Sequence, residues 1–504
     1  MGDDRARIRR QTGTRKEQEI RKYMDPDFAF PIRLPAAGSR HLLRSLHGQL
    51  KEAILDGRLR PGLRLPATRA LAQACGVSRN TVVAAYDLLL SEGYVVARDR
   101  GGTYVAGLLA RTREPAPQPG APEAERRLAA FWRAPPLPPR EASPLVPRFD
   151  FRVGVPSLSA FRADLWGRLT ARTMRAMAHA PVAYADPQGQ PALREAIASH
   201  VSFARAVACQ AGDVVVTAGA QQAFDLLARV LVTPGRTVVA MEDPGYPPAR
   251  AAFAAAGARI VPVPVDAQGL MVDRLPADAR VIYVTPSHQF PLGHAMSAAR
   301  RAALLAFAQS HGAVIVEDDY DGEFRHAERP LDALQTLDRA ESVCYVGTFS
   351  KSLFPTLRLG FVVAPRWARQ ALTLAKQCSD WHCAATAQDT LAAFIAEGHL
   401  ARHVRKMRRL YGVRRQLLLD TLRADFSGRL EPVPCAAGLH LAALCVGHAD
   451  PEPLAERARE QGIGVWTAQE YYLGPQDRAG LLFGFGAIDE AGIAAGLKAL
   501  RKLW

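Results

Sequence analysis

Tyr345-Val346-Gly347-Thr348-Phe349-Ser350-Lys351-Ser352-Leu353-Phe354-Pro355-Thr356-Leu357-Arg358-Leu359-Gly360 sets a single lysine among apolar and small residues, with hydroxyls on both sides and an arginine seven positions on. Of the 64 Lys and Arg residues only 8 are lysine, so the chain takes arginine where a positive charge alone is wanted. A lysine kept in an apolar setting points to chemistry: once desolvated it loses its proton and forms an imine with an aldehyde, which arginine cannot do. Thr348, Ser350 and Arg358 are residue types that hold a phosphate, and lysine beside phosphate ligands is what pyridoxal 5'-phosphate requires. The same spacing also fits a strand-end lysine that snorkels to solvent.

At 504 residues the chain exceeds what one core organises, so two or more domains are expected. Its hydrophobic fraction of 48% and charged fraction of 22% are those of a globular protein. No apolar run is long enough to span a bilayer, and the charged N-terminus lacks the apolar core of an export signal. Seven cysteines, odd in number and without a C-x-x-C pair, fit a reducing cytoplasm. Cys378, His382 and Cys383 lie close in sequence with no second ligand pair, so they read as structural and no metal site is expected. The net charge of +15 is uneven: residues 1–110 hold 19 Lys and Arg against 11 Asp and Glu. A basic N-terminal part points to a polyanionic partner, nucleic acid foremost.

Residues 1–27 are dense in charge and read as a basic disordered tail or an arm for DNA phosphates, with Met24 offering a second start. Residues 28–106 read as a separate small domain. Leu42, Leu43, Leu46, Leu50, Ile54 and Leu55 share one helical face that ends at Gly57. After the turn Arg60-Pro61-Gly62-Leu63-Arg64-Leu65-Pro66, Thr68 is placed to cap a second helix, which carries Leu71 and Ala72 inward and stops at Gly76. Ser78 is placed to cap a third, with Val82, Tyr86, Leu89 and Leu90 inward and Gly93 at its end. Two short helices across a glycine turn form a helix-turn-helix pattern, and Ser78-Arg79-Asn80-Thr81 opens the helix that can reach base edges. Tyr94–Arg98 and Thr103–Val105 flank the basic tip Arg100-Gly101-Gly102, a wing. A three-helix protein-interaction module is the other reading of this pattern.

Residues 107–148 are crowded with proline and alanine and read as a semi-rigid linker, with one amphipathic piece, Glu123–Trp132, suited to a short helix. From residue 149 to 504 strands and helices alternate, as in an α/β domain with a mainly parallel sheet. The strand Asp213–Thr217 runs into Ala218-Gly219-Ala220-Gln221-Gln222, a turn whose free N–H groups suit an anion. Glu242-Asp243-Pro244-Gly245-Tyr246-Pro247 follows the next strand. Val314-Ile315-Val316-Glu317-Asp318-Asp319-Tyr320-Asp321 delivers four acids and a tyrosine to a strand's C-terminal end, where α/β ligands sit. Acids this close repel one another unless a cation or proton shares the site; a solvated acidic cluster is the alternative.

The Tyr345–Gly360 segment resembles the cofactor-lysine segment of fold-type I aminotransferases, and more closely that of MocR/GabR-type transcriptional regulators, which fuse a GntR-like winged helix-turn-helix to an aminotransferase-like domain. Residues 57–105 resemble the GntR winged helix, and the basic helix opening at Gly398-His399-Leu400-Ala401-Arg402 resembles its MocR-type counterpart. The likeness covers roughly residues 28–504, the linker excepted. It implies a multidomain protein: an N-terminal winged helix-turn-helix (α+β) and a C-terminal α/β pyridoxal-phosphate-dependent domain of aminotransferase fold type I, for effector binding and dimerisation. It further implies that Lys351 carries the cofactor as an aldimine, Asp318 faces the pyridine nitrogen, Tyr320 lies by the phenolic oxygen and Tyr246 stacks on the ring. Gly219, Ala220 and Gln221, with Thr348, Ser350 and Arg358, fall at the phosphate, and Tyr184 at the phosphate of a dimer partner. Arg64, Thr68, Arg69, Ser78, Arg79, Asn80, Thr81 and Gly102 fall at DNA-contacting positions, Arg79 for base readout and Arg64 for phosphate positioning.

Two departures bear on function. Phe290, in Thr285-Pro286-Ser287-His288-Gln289-Phe290-Pro291, stands where working aminotransferases carry an asparagine bonded to the phenolic oxygen. Leu482 stands where many of them carry the arginine that holds a substrate carboxylate, with Arg478 nearby in a loop-like stretch. Either another group holds the carboxylate or the effector is not a standard α-amino acid. The resemblance thus implies a cytoplasmic homodimer, nucleoid-associated when on DNA, that binds operator half-sites in double-stranded DNA. It would sense a small amino compound, or pyridoxal phosphate itself, and keep at most residual transaminase activity. The alternatives are an active aminotransferase that carries a DNA-binding domain, and a DNA-binding protein whose large domain is a scaffold.

Overall fold

The computed structural model describes residues 41–98, 102–107, 127–133, 146–326, 332–435, 437–447, 450–476 and 478–504, with Ile32, Leu34, Pro35 and Ser39. The expected tail at 1–27, the wing tip Arg100-Gly101 and most of the linker at 107–148 lie outside the described residues. Two compact units result, Met1–Leu128 and Ala129–Trp504. Of the amphipathic piece Glu123–Trp132, a short helix is described at Ala130–Arg133.

In the first unit, helices Leu42–Leu55, Thr68–Cys75 and Arg79–Ser91 enclose a core built on Leu46, Leu50, Ile54, Leu71, Val82 and Leu89. Leu55 and Leu90, expected inside, are both 46% exposed. Each follows a buried residue, and the turn of the helix per residue carries it off the apolar face. Thr68 is also not a cap. It is the first helical residue, Ala67 holds the cap position without a side-chain bond, and Arg79 Nε meets the Thr68 hydroxyl at 3.5 Å. Ser78 does cap: its Oγ accepts the N–H of Thr81 at 3.1 Å. Strands β1 (Val95–Arg98) and β2 (Gly102–Val105) pair antiparallel. Gly102 takes φ +100, and a Cβ there would lie 3.2 Å from Arg64 Nε, so the wing base and Arg64 pack together.

The second unit contains β3 (Phe149–Asp150), β4 (Val214–Thr217), β5 (Val238–Asp243), β6 (Arg259–Asp266), β7 (Gly269–Leu270), β8 (Ala279–Val284), β9 (Val314–Asp319), β10 (Val343–Thr348) and β11 (Gly360–Val363). Eight of them form one sheet in the order β4-β11-β10-β9-β8-β5-β6-β7. The run β10-β9-β8-β5-β6 is parallel. β11 is antiparallel to both β10 and β4, which leaves β4 running with β10. The C-terminal ends of β4, β5, β8, β9 and β10 therefore share one edge. Valine-rich runs such as Val214–Thr217 and Val238–Asp243 are buried along their whole length, as parallel strands covered on both faces must be.

A smaller antiparallel sheet joins β12 (Leu430–Pro432), β13 (His440–Cys445), β16 (Gly480–Gly484) and β15 (Trp466–Thr467), while β14 (Ile463–Gly464) pairs with β3. The helix His399–Asp425 lays Leu400, Val404, Met407, Tyr411, Leu418 and Leu422 into the core. No helix among the described residues is long and apolar enough to cross a membrane.

The Ser78 cap gives a direct check. Ser78→Ala should weaken the start of the Arg79–Ser91 helix by about 1 kcal/mol, seen as roughly fivefold faster amide exchange there, whereas Ser78→Asp should leave exchange near the parent rate.

Candidate functional site

The site lies along the shared C-terminal edge of the sheet. β10 ends at Thr348 and its loop presents Lys351, whose Nζ donates to the carbonyl of Gly154 at 2.7 Å. Gly154 adopts φ +73, and a Cβ there would sit 2.8 Å from Nζ, so the backbone closes on the lysine only because this residue is glycine. Nothing in the sequence marked Gly154, because the contact joins positions far apart in the chain.

Beside it, β4 leads to Gly219, at φ +78 before the helix Ala220–Leu231. The Arg358 guanidinium lies 3.0–3.1 Å from where a Gly219 Cβ would stand, and its Nη2 donates to the carbonyl of Ala218 at 2.7 Å. Arg358 itself has φ 51, a left-handed backbone that turns its side chain back toward this helix start. The Thr348 hydroxyl donates to Ser350 Oγ at 3.0 Å. Arg358 thus stands at the start of the helix Ala220–Leu231, where free N–H groups and a guanidinium suit an anion, while Thr348 and Ser350 follow β10, with β11 between that strand and β4. Gln221 turns outward, its amide donating to the carbonyl of Pro248.

The four acids at the end of β9 are buried, and each has a different partner. Glu317 accepts the N–H groups of Leu334 and Gln335 at 2.7 and 2.9 Å. Asp319 is paired with Arg205 at 2.6 Å and accepts from the Tyr345 hydroxyl at 2.7 Å. Asp321 meets His288 Nδ1 at 2.9 Å. Asp318 accepts from the Tyr283 hydroxyl through Oδ2 at 2.6 Å, and its Oδ1 is buried with no partner among the described residues. Burial, with repulsion from Asp319 and Asp321, pushes Asp318 up to about 7, while Lys351 draws it down. Burial likewise lifts Glu242 to about 7; its Oε2 accepts from the Thr285 hydroxyl at 2.5 Å.

Aromatic rings wall the site. Phe290 stands edge-on to Tyr246 at 5.3 Å, Tyr320 at 5.9 Å and Tyr471 at 5.1 Å. Tyr320 lies within reach of the charges of Asp318 and Asp321, and its hydroxyl bonds His288 Nδ1 and the His288 carbonyl. Leu482 is fully buried on β16 opposite Ala442, so it offers no polar group. Tyr184 stands apart from this cluster, 78% exposed and stacked on Trp381 at 5.0 Å. It borders an open groove of about 1720 Å³ that also exposes Phe203, Val182 and Met177.

The structure adds His288 and His440, which sequence reading left unassigned. His288 lies in the Ser287-His288-Gln289-Phe290 run that drew notice for its phenylalanine alone. His288, Asp321 and His440 place one ligand-type atom each within 4.8 Å of one another. Both ring nitrogens of His288 are already engaged, by Asp321 and Tyr320 on one side and Cys435 on the other, so the cluster is a hydrogen-bonded one and no metal role is assigned to it.

A bound group suited to this site presents a cationic N–H to Asp318 Oδ1, an electrophile to Lys351, a flat ring to Tyr246 and an anion to the Gly219–Arg358 cradle. The residues fit pyridoxal 5'-phosphate on each count, the orphaned carboxylate oxygen being the most demanding.

Asp318 also sets a pH dependence. Its raised folded pKa means that the protein, without a cation opposite it, loses stability as pH climbs from about 4 through about 7. Cofactor-free Asp318→Asn should therefore melt higher than the parent at pH 8, by on the order of 2–4 kcal/mol, with the gain shrinking toward pH 5.

Comparison with known proteins agrees with this geometry. Residues 164–473 match the aminotransferase class I and II family, and residues 43–105 match the bacterial regulatory proteins of the gntR family. The chain is 37% identical to the "Probable rhizopine catabolism regulatory protein MocR" of Rhizobium meliloti, over 91% of this chain and 93% of that protein. It is 33% identical to the pyridoxine biosynthesis transcriptional regulator PdxR of Corynebacterium glutamicum, over 91% and 95%. The crystal structure of Pyrococcus horikoshii kynurenine aminotransferase aligns at 25% identity with a TM-score of 0.69, covering 76% of this chain and 97% of that one. The chain belongs to the MocR-type transcriptional regulators, in which a gntR-family helix-turn-helix is joined to a fold-type I aminotransferase domain.

Proposed function

We propose that this regulator holds pyridoxal 5'-phosphate at Lys351 and adjusts its DNA binding to a small amino compound, or to the cofactor itself. The observation that carries the reading is Asp318: a buried carboxylate with one unpartnered oxygen, close enough to Lys351 to feel its charge. Bound there, the cofactor supplies an aldehyde that exchanges between amines. Lys351 would hold that aldehyde, Asp318 would keep a negative charge against the ring nitrogen, and Tyr246 would flank the ring. Gly219, Ala220, Thr348, Ser350 and Arg358 would take the phosphate.

The substitutions at Phe290 and Leu482 support sensing over turnover. Phe290 offers the ring oxygen no donor, and Leu482 gives a carboxylate nothing to pair with. The lysine's partner suggests an output: Gly154 lies shortly after the proline-rich segment, so engaging or freeing Nζ would release the backbone close to that segment. On the small unit, Arg69, Ser78, Arg79 and Asn80 are exposed around the start of the third helix, as major-groove readout needs, while Arg64 and Gly102 pack together at the wing base. Phe203 at 94% exposed and Val182 at full exposure support a second copy covering the groove beside Tyr184. A homodimer on paired half-sites of operator DNA in the cytoplasm, nucleoid-associated there, is the assembly we infer.

Operator-fragment binding tests the reading. Pyridoxal phosphate with an effective amine should change the affinity of the parent protein at fixed salt and leave Lys351→Ala unaffected; an equal change in Lys351→Ala would refute it. Arg79→Ala should weaken specific binding by about 1–3 kcal/mol.

A further inference from the structure

His288 is hydrogen-bonded at both ring nitrogens and has no role in the reading above. Its Nδ1 lies 2.9 Å from both Asp321 Oδ2 and Tyr320 Oη, and its Nε2 lies 3.1 Å from Cys435 Sγ. Tyr320 donates its hydroxyl hydrogen to the His288 carbonyl at 3.0 Å. His288, Asp321 and Cys435 are all buried. Gly438 seals the arrangement: at φ +86, a Cβ there would lie 2.1 Å from His288 Cε1 and 2.5 Å from Asp321 Oδ2. Such packing fixes the ring orientation and sends Nδ1 toward the phenol.

Burial disfavours a charge on this imidazole, but Asp321 and Cys435 outweigh it and hold His288 well above the usual histidine range. Burial raises the Cys435 thiol, and His288 brings it below its ordinary value. A doubly protonated ring donates from Nδ1 to Tyr320 as well as to Asp321. A phenol that accepts a charge-assisted hydrogen bond is a stronger donor through its own hydrogen. That hydrogen now rests on a backbone carbonyl, and a hydroxyl rotor turns between acceptors at little cost.

We propose that His288, clamped between Asp321 and Cys435, is the positioning residue for Tyr320, making its phenol the strong donor to the cofactor's ring oxygen on the side where Phe290 supplies none. The inference rests on the pyridoxal phosphate reading. It assigns the His288-Gln289-Phe290 run a single logic: the donor lost at Phe290 is replaced through its neighbour two residues earlier.

The test is the pH midpoint of the visible absorption band of the lysine-bound cofactor, read on the full-length loaded protein. A donor on the ring oxygen stabilises that oxygen's negative charge and lowers the midpoint. His288→Phe should raise it by about one pH unit, a tenfold change in the proton equilibrium. Tyr320→Phe should raise it at least as much, and the double variant should match Tyr320→Phe, because His288 acts through Tyr320. The other titratable groups around the pair, Asp321, Asp318, Glu242, Cys435 and His440, are retained in all three proteins; Cys435 and His440 feel the His288 charge, and an effect that reached the cofactor through them would persist in the Tyr320→Phe background. If His288→Phe does not fold, Asp321→Asn replaces it, with the same direction expected. An unmoved midpoint, or a His288 effect of equal size in the Tyr320→Phe background, overturns the inference and leaves the cofactor reading intact. Absence of a lysine-dependent band in the parent overturns both.

Discussion

A buried carboxylate that lacks a partner on one oxygen is a costly feature, and Asp318 is the one around which this pocket is arranged. Its neighbours Glu317, Asp319 and Asp321 bring three more acids to the same strand end, which would be untenable if all shared one space. The fold separates them. Glu317 is held by backbone N–H groups, Asp319 by Arg205, and Asp321 by His288, so of these four only Asp318 keeps an unpartnered oxygen among the described residues, as Glu242 does through Oε1 on β5. A proton, which burial favours here, or a cation brought by a ligand would satisfy Asp318.

The parallel sheet makes this possible. Because β4, β5, β8, β9 and β10 all end on one edge, five loops from distant parts of the chain converge there. One brings the lysine, one the anion cradle, one the acids, one Tyr246, and one the His288–Phe290 run. Gly154 joins them from the segment after the proline-rich stretch. The contact between Gly154 and Lys351 joins the lysine's loop to the segment that follows the proline-rich stretch.

Much of this was legible in the sequence where the signal was local. The Ser78 cap, the glycine stops at Gly76 and Gly93, the strand carrying the acids and the isolated lysine each depend on residues within a few positions of one another. Thr68 misled because a capping residue type one step inside a helix looks the same in sequence as one at its start. Leu55 and Leu90 misled because helical periodicity does not say at which residue the buried face ends. Gly154, Tyr283, Arg205, His288, Cys435 and His440 were not found, since their meaning lies in contacts across more than thirty positions in the chain. Tyr184 is exposed within one chain, so a role for it depends on a second copy.

Everything proposed for the large unit depends on whether Lys351 and Asp318 together hold the cofactor. The most direct measurement is the absorption spectrum of purified protein with and without pyridoxal 5'-phosphate, recorded beside Lys351→Ala. A visible band that appears in the parent and is missing in Lys351→Ala is the predicted result. A parent spectrum equal to that of free cofactor, or the same band in Lys351→Ala, would contradict the account and reduce the large unit to a scaffold for the DNA-binding one.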